Sequence, residues 1–297
     1  MRAKRFETRE VALAYGLLGP ALAVLAGVLA YPLGYAFWLS LNDVDANVHP
    51  VKFVWFKNYA DAIRDPALLP SLERTLYFAA LVLVGTVLLG FAFGLLLTVD
   101  FPGRSVVRGL MVIPWAVSAT VVALTFGWIF NSQLGTLNGL LTQLHLIHQP
   151  VVWFDTSGWQ TLAIMALATV WATAPFAGLL YLGALQTVPE ELQRAARVDG
   201  AGALRRFYAV TLPWVRRTTF LVCVLAIISG FTAFVLVLIM TGGGPGEATN
   251  LLPWWAYTIS FTDFDWGKGS AIFFLIALSV FVASGGLYLL LGRRADD

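Results

Sequence analysis

Charge is scarce in this chain. Asp, Glu, Lys and Arg make up 12% of 297 residues, about half of the ~25% usual in soluble domains. Cysteine occurs once, at Cys223, which excludes an internal disulfide and leaves that residue a packing role. Of the three histidines, His145 and His148 are spaced as metal ligands. No third His or Cys stands near them and no His-Glu-x-x-His occurs, so no metal site is expected. The glycine-rich run Gly242–Gly246 lacks a following Gly-Lys-Ser/Thr, and Gly267-Lys268-Gly269 fails the same test. The chain therefore carries no phosphate-binding loop of its own. Spacing yields no Ser-His-Asp or Cys-His set either, and no enzyme site is expected.

What is present is apolar surface: 59% of residues are hydrophobic. The charges cluster and leave long uncharged runs at about 11–41, 75–99, 109–130, 159–187, 218–240 and 270–292. Thr75–Val99 alone has 25 residues; at about 1.5 Å per residue it extends roughly 37 Å, enough for a ~30 Å hydrocarbon layer with tilt. The reading is an all-α integral membrane protein with six spanning helices in a domain over 11–292. Fourteen basic residues fall on one side: Arg2, Lys4, Arg5, Arg9, Arg104, Arg108, the six arginines of 194–217, Arg293 and Arg294. Five fall on the other: Lys52, Lys57, Arg64, Arg74 and Lys268. This asymmetry predicts cytoplasmic ends at 1–10 and 293–297. The net charge of +2 thus reflects orientation and gives no sign of a nucleic-acid partner. Ala21-Leu22-Ala23 resembles a signal cleavage site, but the apolar run outlasts a signal peptide, so the first helix is read as uncleaved. Tyr31-Pro32 is expected to kink it. None of the last five spans holds an ionisable residue in its interior, which argues against a proton relay.

The most informative stretch is a polar, basic island at 187–217, between two uncharged runs. Thr187 and Glu190 have capping-box spacing, and Pro189 suits a first helical turn. Glu190 and Glu191 fall at the positive end of a helix dipole. Gly200 can end that helix in a left-handed conformation. A second short helix is expected over 201–212, stopped at Pro213.

The island resembles the "EAA" loop of the permease subunits of carbohydrate-importing ATP-binding-cassette transporters, the maltose-permease branch. The match is carried by Pro189, Glu191, Leu192, Ala195, Ala196, Asp199, Gly200, Ala201 and Thr211-Leu212-Pro213. One position departs: Arg194 stands where that loop has its naming Glu. A second match is Met240-Thr-Gly-Gly-Gly-Pro-Gly246 with Thr249, Tyr257, Phe261 and Gly269-Ser270-Ala271. Weaker ones are Trp55–Tyr59, Ile113-Pro114-Trp115, and Trp128, Phe130, Gly135 and Asn138. The resemblance implies a type I importer permease fold and alternating access. It also implies a second permease subunit, two ATPase subunits that hold the ATP and Mg, and an extracytoplasmic solute-binding protein. In that setting Asp199 and Gly200 shape the bend, Ala195, Ala196 and Ala201 fit a groove on the ATPase, and Leu204, Phe207 and Leu212 anchor the apolar face.

A path for solute is sought on the uncharged helices. Thr169, Thr173 and Phe176 fall on one helical face at i, i+4, i+7; Trp115 and Ser118 do likewise on the preceding span. Gly230 and Ala233 occupy, by similarity, cavity-facing positions. Hydroxyl and small residues also suit helix packing in membranes, so both readings stand. An ion-coupled transporter, or a membrane scaffold or enzyme, are the rival classes.

Overall fold

A computed structural model describes residues 2–45, 51–155 and 157–289, with backbone only for 2–9. The basic side chains at 2–9, Pro50 and the tail 293–297 lie outside the described residues. The chain runs α1 (Arg2–Leu25), a π turn (Ala26–Ala30), α2 (Tyr31–Ser40), β1 (Asn42–Asp43), β2 (Lys52–Phe53), α3 (Lys57–Arg64) and α4 (Leu68–Thr98). It continues through α5 (Arg104–Leu110), α6 (Val112–Ala116), α7 (Ala119–Ile129), α8 (Thr136–Gln143), α9 (Trp159–Gln186), α10 (Glu190–Val198) and α11 (Ala203–Arg206). A second π turn (Phe207–Thr211), α12 (Leu212–Trp214), α13 (Arg216–Phe231), α14 (Phe234–Met240), α15 (Leu252–Phe261) and α16 (Trp266–Leu287) complete it. Four helical stretches, 10–40, 68–98, 159–186 and 266–287, are long and apolar enough to cross a membrane. Two bent pairs bring this to six if each is one span: 104–116 with 119–129, at 92°, and 203–214 with 216–231, at 65°.

The chain divides into two units, 1–65 with 256–275, and 66–255 with 276–297. In the second unit α4 and α9 lie so close that glycine is required at the contact. A Cβ on Gly90 would stand 2.6 Å from the Ala177 Cβ, one on Gly94 2.6 Å from the Tyr181 Cβ, and one on Gly178 2.8 Å from the Phe93 Cβ. Partners rise together in number, 90 with 177 and 94 with 181, so the helices run parallel. The basic turn after α4 and the island after α9 therefore leave from the same end. Helix α13 packs on α4 through Gly230, whose added Cβ would meet the Ala79 Cα at 2.7 Å. Backbones this close gain dispersion contact where no hydrophobic effect drives helices together. Tyr181, Phe78, Leu162 and Met165 are fully buried around this pair.

The two π turns have one cause. Each ends two residues before a proline, Pro32 and Pro213. Proline lacks an N–H donor, and its ring collides with the carbonyl four residues back. A π turn widens the ladder over that stretch; the Leu212 N–H reaches back to the Phe207 carbonyl. Pro32 thus stays within a continuous span, and Pro213 does not stop its helix as the sequence suggested. The break comes two residues later, at Val215. The run 109–130 departs from expectation in the other sense. Val117 and Ser118 are extended (ψ 134° and 147°), and the Ser118 Oγ accepts the Val121 N–H at 3.4 Å. Ser118 is a cap, and Trp115 and Ser118 share no helical face.

Two polar side chains tie down irregular segments. In the second unit, buried Asn138 donates to the Ser132 and Val151 carbonyls, both at 3.0 Å, and accepts from Val151 N and Trp153 Nε1, which satisfies donors and acceptor alike. In the first unit, buried Asn58 donates to the Ser40 and Asn42 carbonyls at 3.0 and 2.8 Å. Gly267 closes against it, since a Cβ there would stand 2.4 Å from the Asn42 oxygen. Nearby, Asp265 caps α16 by accepting the Lys268 N–H at 2.8 Å, and Lys268 Nζ meets Asp65 Oδ2 at 2.6 Å. Burial pushes the Asp265 carboxyl above its ordinary range; its bond to the Lys268 backbone and that residue's charge pull down, while Asp43 and Asp45 push up.

Two outcomes follow. Gly90→Val is expected to overpack the α4/α9 contact and lower stability by about 1–3 kcal/mol, read as a fall in the melting temperature of the purified protein, while Gly109→Ala, with open space around it, leaves it unchanged. For Asp265 the raised folded pKa means that its favourable contribution is complete below the unfolded pKa and is lost as pH rises through the folded one. Asp265→Asn keeps an acceptor for the cap, so its melting temperature is expected to be flatter against pH just above the ordinary carboxylate range; an identical pH profile for the two proteins counts against this.

Candidate functional site

The second unit holds two features that can act together. The first is the island. Helix α10 begins at Glu190, with Pro189 at its N-cap and no side-chain cap. Thr187 lies too far back to form the expected capping box. It serves instead as a tie: its hydroxyl donates to the Ala184 carbonyl at 2.8 Å and accepts from Trp214 Nε1 at 3.0 Å. A second tie joins Gln193 Nε2 to Thr211 Oγ1 at 3.2 Å. Together they fasten the start of the island to its end. At the bend Asp199 is the C-cap and Gly200 takes φ 74°. The Gly200 N–H bonds the Arg197 carbonyl, and the Ala201 N–H bonds the Ala196 carbonyl at 2.9 Å, the paired closure of a left-handed helix end.

The side chains of the island sort into two sets. Phe207 turns inward and meets Phe91 of α4 at 5.7 Å between ring centres; Phe91 meets Tyr181 of α9 at 5.1 Å. Leu204 does not anchor the apolar face as expected: it is 76% exposed, Leu212 is 41% exposed, and Val198 reaches 87%. These, with exposed Glu191 and Ala195, form an outward surface with Ala196 and Ala201 partly covered beside it. Arg194, the departure from the expected pattern, ion-pairs with Glu190 one turn earlier, both well exposed. The guanidinium beside it holds the Glu190 carboxyl below its usual range, and such exposed pairs add little stability.

The second feature is a pair of chambers of about 280 and 260 Å³ between α6, α9 and α13. Trp115, Thr173 and Phe176 line the first; Trp115, Thr169, Thr173 and Ala233 line the second. Five of the residues expected for a path are thus brought together. Trp115 stacks on Phe176 with centres 4.7 Å apart and planes at 12°. Gly230 is not among them, because it faces α4. Its neighbour Ser229 lines both chambers; one residue turns a helix face by about 100°, so a register error of one exchanges packing for lining. Thr232 and Thr86 were also missed. Thr86 is the one Ser or Thr between Thr75 and Thr98, a signal that could have marked it; its hydroxyl meets that of Thr173 at 2.9 Å. Phe91, which receives the island's Phe207, lies five residues along α4 from Thr86.

The profile of the family described as binding-protein-dependent transport system inner membrane components matches residues 86–296, well over half of the chain. The chain belongs to this family. The permease is 33% identical over 297 residues to the trehalose/maltose transport system permease protein of Thermococcus litoralis, covering 99% of this chain and 98% of that one. It is 31% identical over 287 residues to the sulfoquinovosyl glycerol transport system permease protein of Agrobacterium fabrum, covering 96% and 91%. Its fold matches that in the crystal structure of a bacterial ABC transporter importing the acidic polysaccharide alginate, with TM-score 0.78, 19% identity and 99% of each chain covered. The permease is therefore an inner-membrane transport subunit with the fold of ABC importer permeases, and its part is transport rather than catalysis.

The bend supplies a direct test. Gly200→Val adds about 1–2 kcal/mol of strain to a left-handed residue although space around it is open. Insertion into the membrane is expected to be normal and transport to fall several-fold, with Gly200→Asn, which tolerates this conformation, close to wild type. Equal transport by the valine variant would remove the bend from the mechanism.

Proposed function

We propose that this permease is one of two membrane subunits of an ATP-driven carbohydrate importer. Six spans with both ends in the cytoplasm place the island 187–217 on the cytoplasmic face, in keeping with the basic residues that cluster there. Two ATPase subunits, which hold ATP and Mg, dock on the exposed surface of α10 and α11. An extracytoplasmic binding protein delivers the solute. The observation that carries the reading is the aromatic line from Phe207 through Phe91 to Tyr181, on the same two helices whose Thr86 and Thr173 meet beside the chambers.

Mechanism follows from that connection. ATP closes the ATPase pair and moves the island. The ties at Thr187–Trp214 and Gln193–Thr211 keep the island from deforming, so the displacement passes into α4 and α9. These helices cannot slide independently, given glycine contacts with no room for a side chain, so they move together against α6 and α13 and reshape the chambers. Sugars are neutral, with apolar ring faces and many hydroxyls; the stacked Trp115–Phe176 surface and the uncharged hydroxyls of Thr169 and Thr173 meet both requirements. The names of the trehalose/maltose and sulfoquinovosyl glycerol relatives support the carbohydrate class.

Reconstitution with the two ATPase subunits, partner permease and binding protein tests this. Labelled trehalose, maltose and related glycosides are expected to accumulate only with ATP. Ala233→Trp, which adds an indole where Ala233 lines the second chamber, is expected to cut uptake at least tenfold at equal membrane abundance. Accumulation driven by a sodium or proton gradient without ATP would replace the reading by an ion-coupled transporter.

A further inference from the structure

The two chambers follow one another along the helices. On α9 the second is lined at 169, 172 and 173, and the first at 173, 176, 177 and 180. On α13 the order runs oppositely, 222 to 229 for the first and 229 to 233 for the second. Leu180 and Val222 lie towards the island, Thr169 and Thr232 away from it. Three residues border both chambers: Trp115, Thr173 and Ser229. They come from three helices and meet at the junction. The indole of Trp115 is supported from behind by Phe176 at 4.7 Å, which holds a flat plate across the junction.

The hydroxyls at and around this junction share one arrangement. Thr173 donates to the Thr169 carbonyl at 2.9 Å, Ser229 to Leu225 at 3.0 Å, Thr232 to Ile228 at 2.8 Å and Thr169 to Met165 at 3.1 Å. Each has spent its single proton on its own helix. The Thr86 hydroxyl then serves as donor to Thr173. What these residues turn toward the space is oxygen lone pairs. Among the lining side chains the indole N–H of Trp115 is the one remaining donor, and none carries a charge. Lone pairs accept from solute hydroxyls. They repel a carboxylate, sulfonate or phosphate, which needs donors or cations, and an uncompensated ion is costly in an uncharged cavity.

We infer that Trp115, Thr173 and Ser229 form the constriction at which this chain selects its solute, a waist that admits neutral, hydroxyl-rich molecules and turns back anions. The inference rests on the carbohydrate-importer reading and deepens it. Trp115 closes the waist and offers a ring face; Thr173 and Ser229 take hydrogen bonds from the solute as it passes.

The test uses the assembled complex in liposomes, without ATP or binding protein, and follows swelling by light scattering in sorbitol or in potassium gluconate with valinomycin to balance charge. Wild type is expected to swell no faster than protein-free liposomes in either. Trp115→Ala is expected to raise the sorbitol rate at least fivefold and leave the gluconate rate unchanged. Trp115→Phe, which keeps a plate, and Trp128→Ala, 69% exposed and outside both chambers, are expected to stay tight. If Trp115→Ala does not assemble, Trp115→Leu takes its place with the same expected outcomes. A waist variant as tight as wild type to sorbitol overturns the proposal. So does gluconate entry matching sorbitol, or an equal leak through Trp115→Phe or Trp128→Ala. Because no ATP, binding protein or identified sugar is involved, failure here leaves the uptake reading to its own experiment.

Discussion

The close approach of α4 and α9 is the constraint on which the second unit depends. Gly90, Gly94 and Gly178 let two backbones touch where any side chain would collide. In a bilayer, helices gain little from leaving lipid, so intimate contact and satisfied polar groups decide how they associate. The Thr86–Thr173 hydrogen bond lies in the same contact, as do the rings of Phe91 and Tyr181. One helix pair therefore carries the wall of the chambers and the seat of the island. A movement delivered at one end arrives at the other with little lost to bending, since packed interiors deform little.

Polarity in the second unit is handled without charge. The hydroxyls near the chambers are held by carbonyls one turn back, and Asn138 fills all its hydrogen bonds with backbone and one indole. These arrangements keep each polar atom satisfied where water is scarce. They also leave hydroxyl oxygens free to accept on the open side, so satisfaction within the helix and usefulness to a solute come from the same bond.

Much of this was legible in the sequence. Uncharged runs marked the membrane helices, because a charge inside a bilayer is costly. Gly200 announced its left-handed bend, because few other residues adopt it without strain. Five path residues were found by helical spacing and resemblance. The failures have physical sources too. Pro213 and Pro32 read as a stop and a kink, but periodicity does not reveal a π turn that accommodates them. Thr187 had the spacing of a capping box; its hydroxyl was taken by an indole 27 residues away, a pairing that no local pattern contains. Gly230 and Ser229 were exchanged because resemblance carries a register that one residue of drift inverts. Leu204 was read as buried from its apolarity alone, whereas an apolar residue on a docking surface stays exposed until the partner arrives.

The π turn at Phe207–Thr211 makes the island sensitive to length rather than to composition. It holds one residue more than an α turn needs over the same stretch. Deleting any one of the five would return the ladder to α spacing and rotate everything after it by about 100°. Phe207 would keep its place against Phe91, but Trp214 would swing off Thr187 and α13 would enter with another face toward α4, setting Gly230 away from Ala79. Substitutions in this stretch leave the arrangement standing; a single-codon deletion does not. Chains built on this arrangement are thus free to vary here in letter but are held to a fixed count.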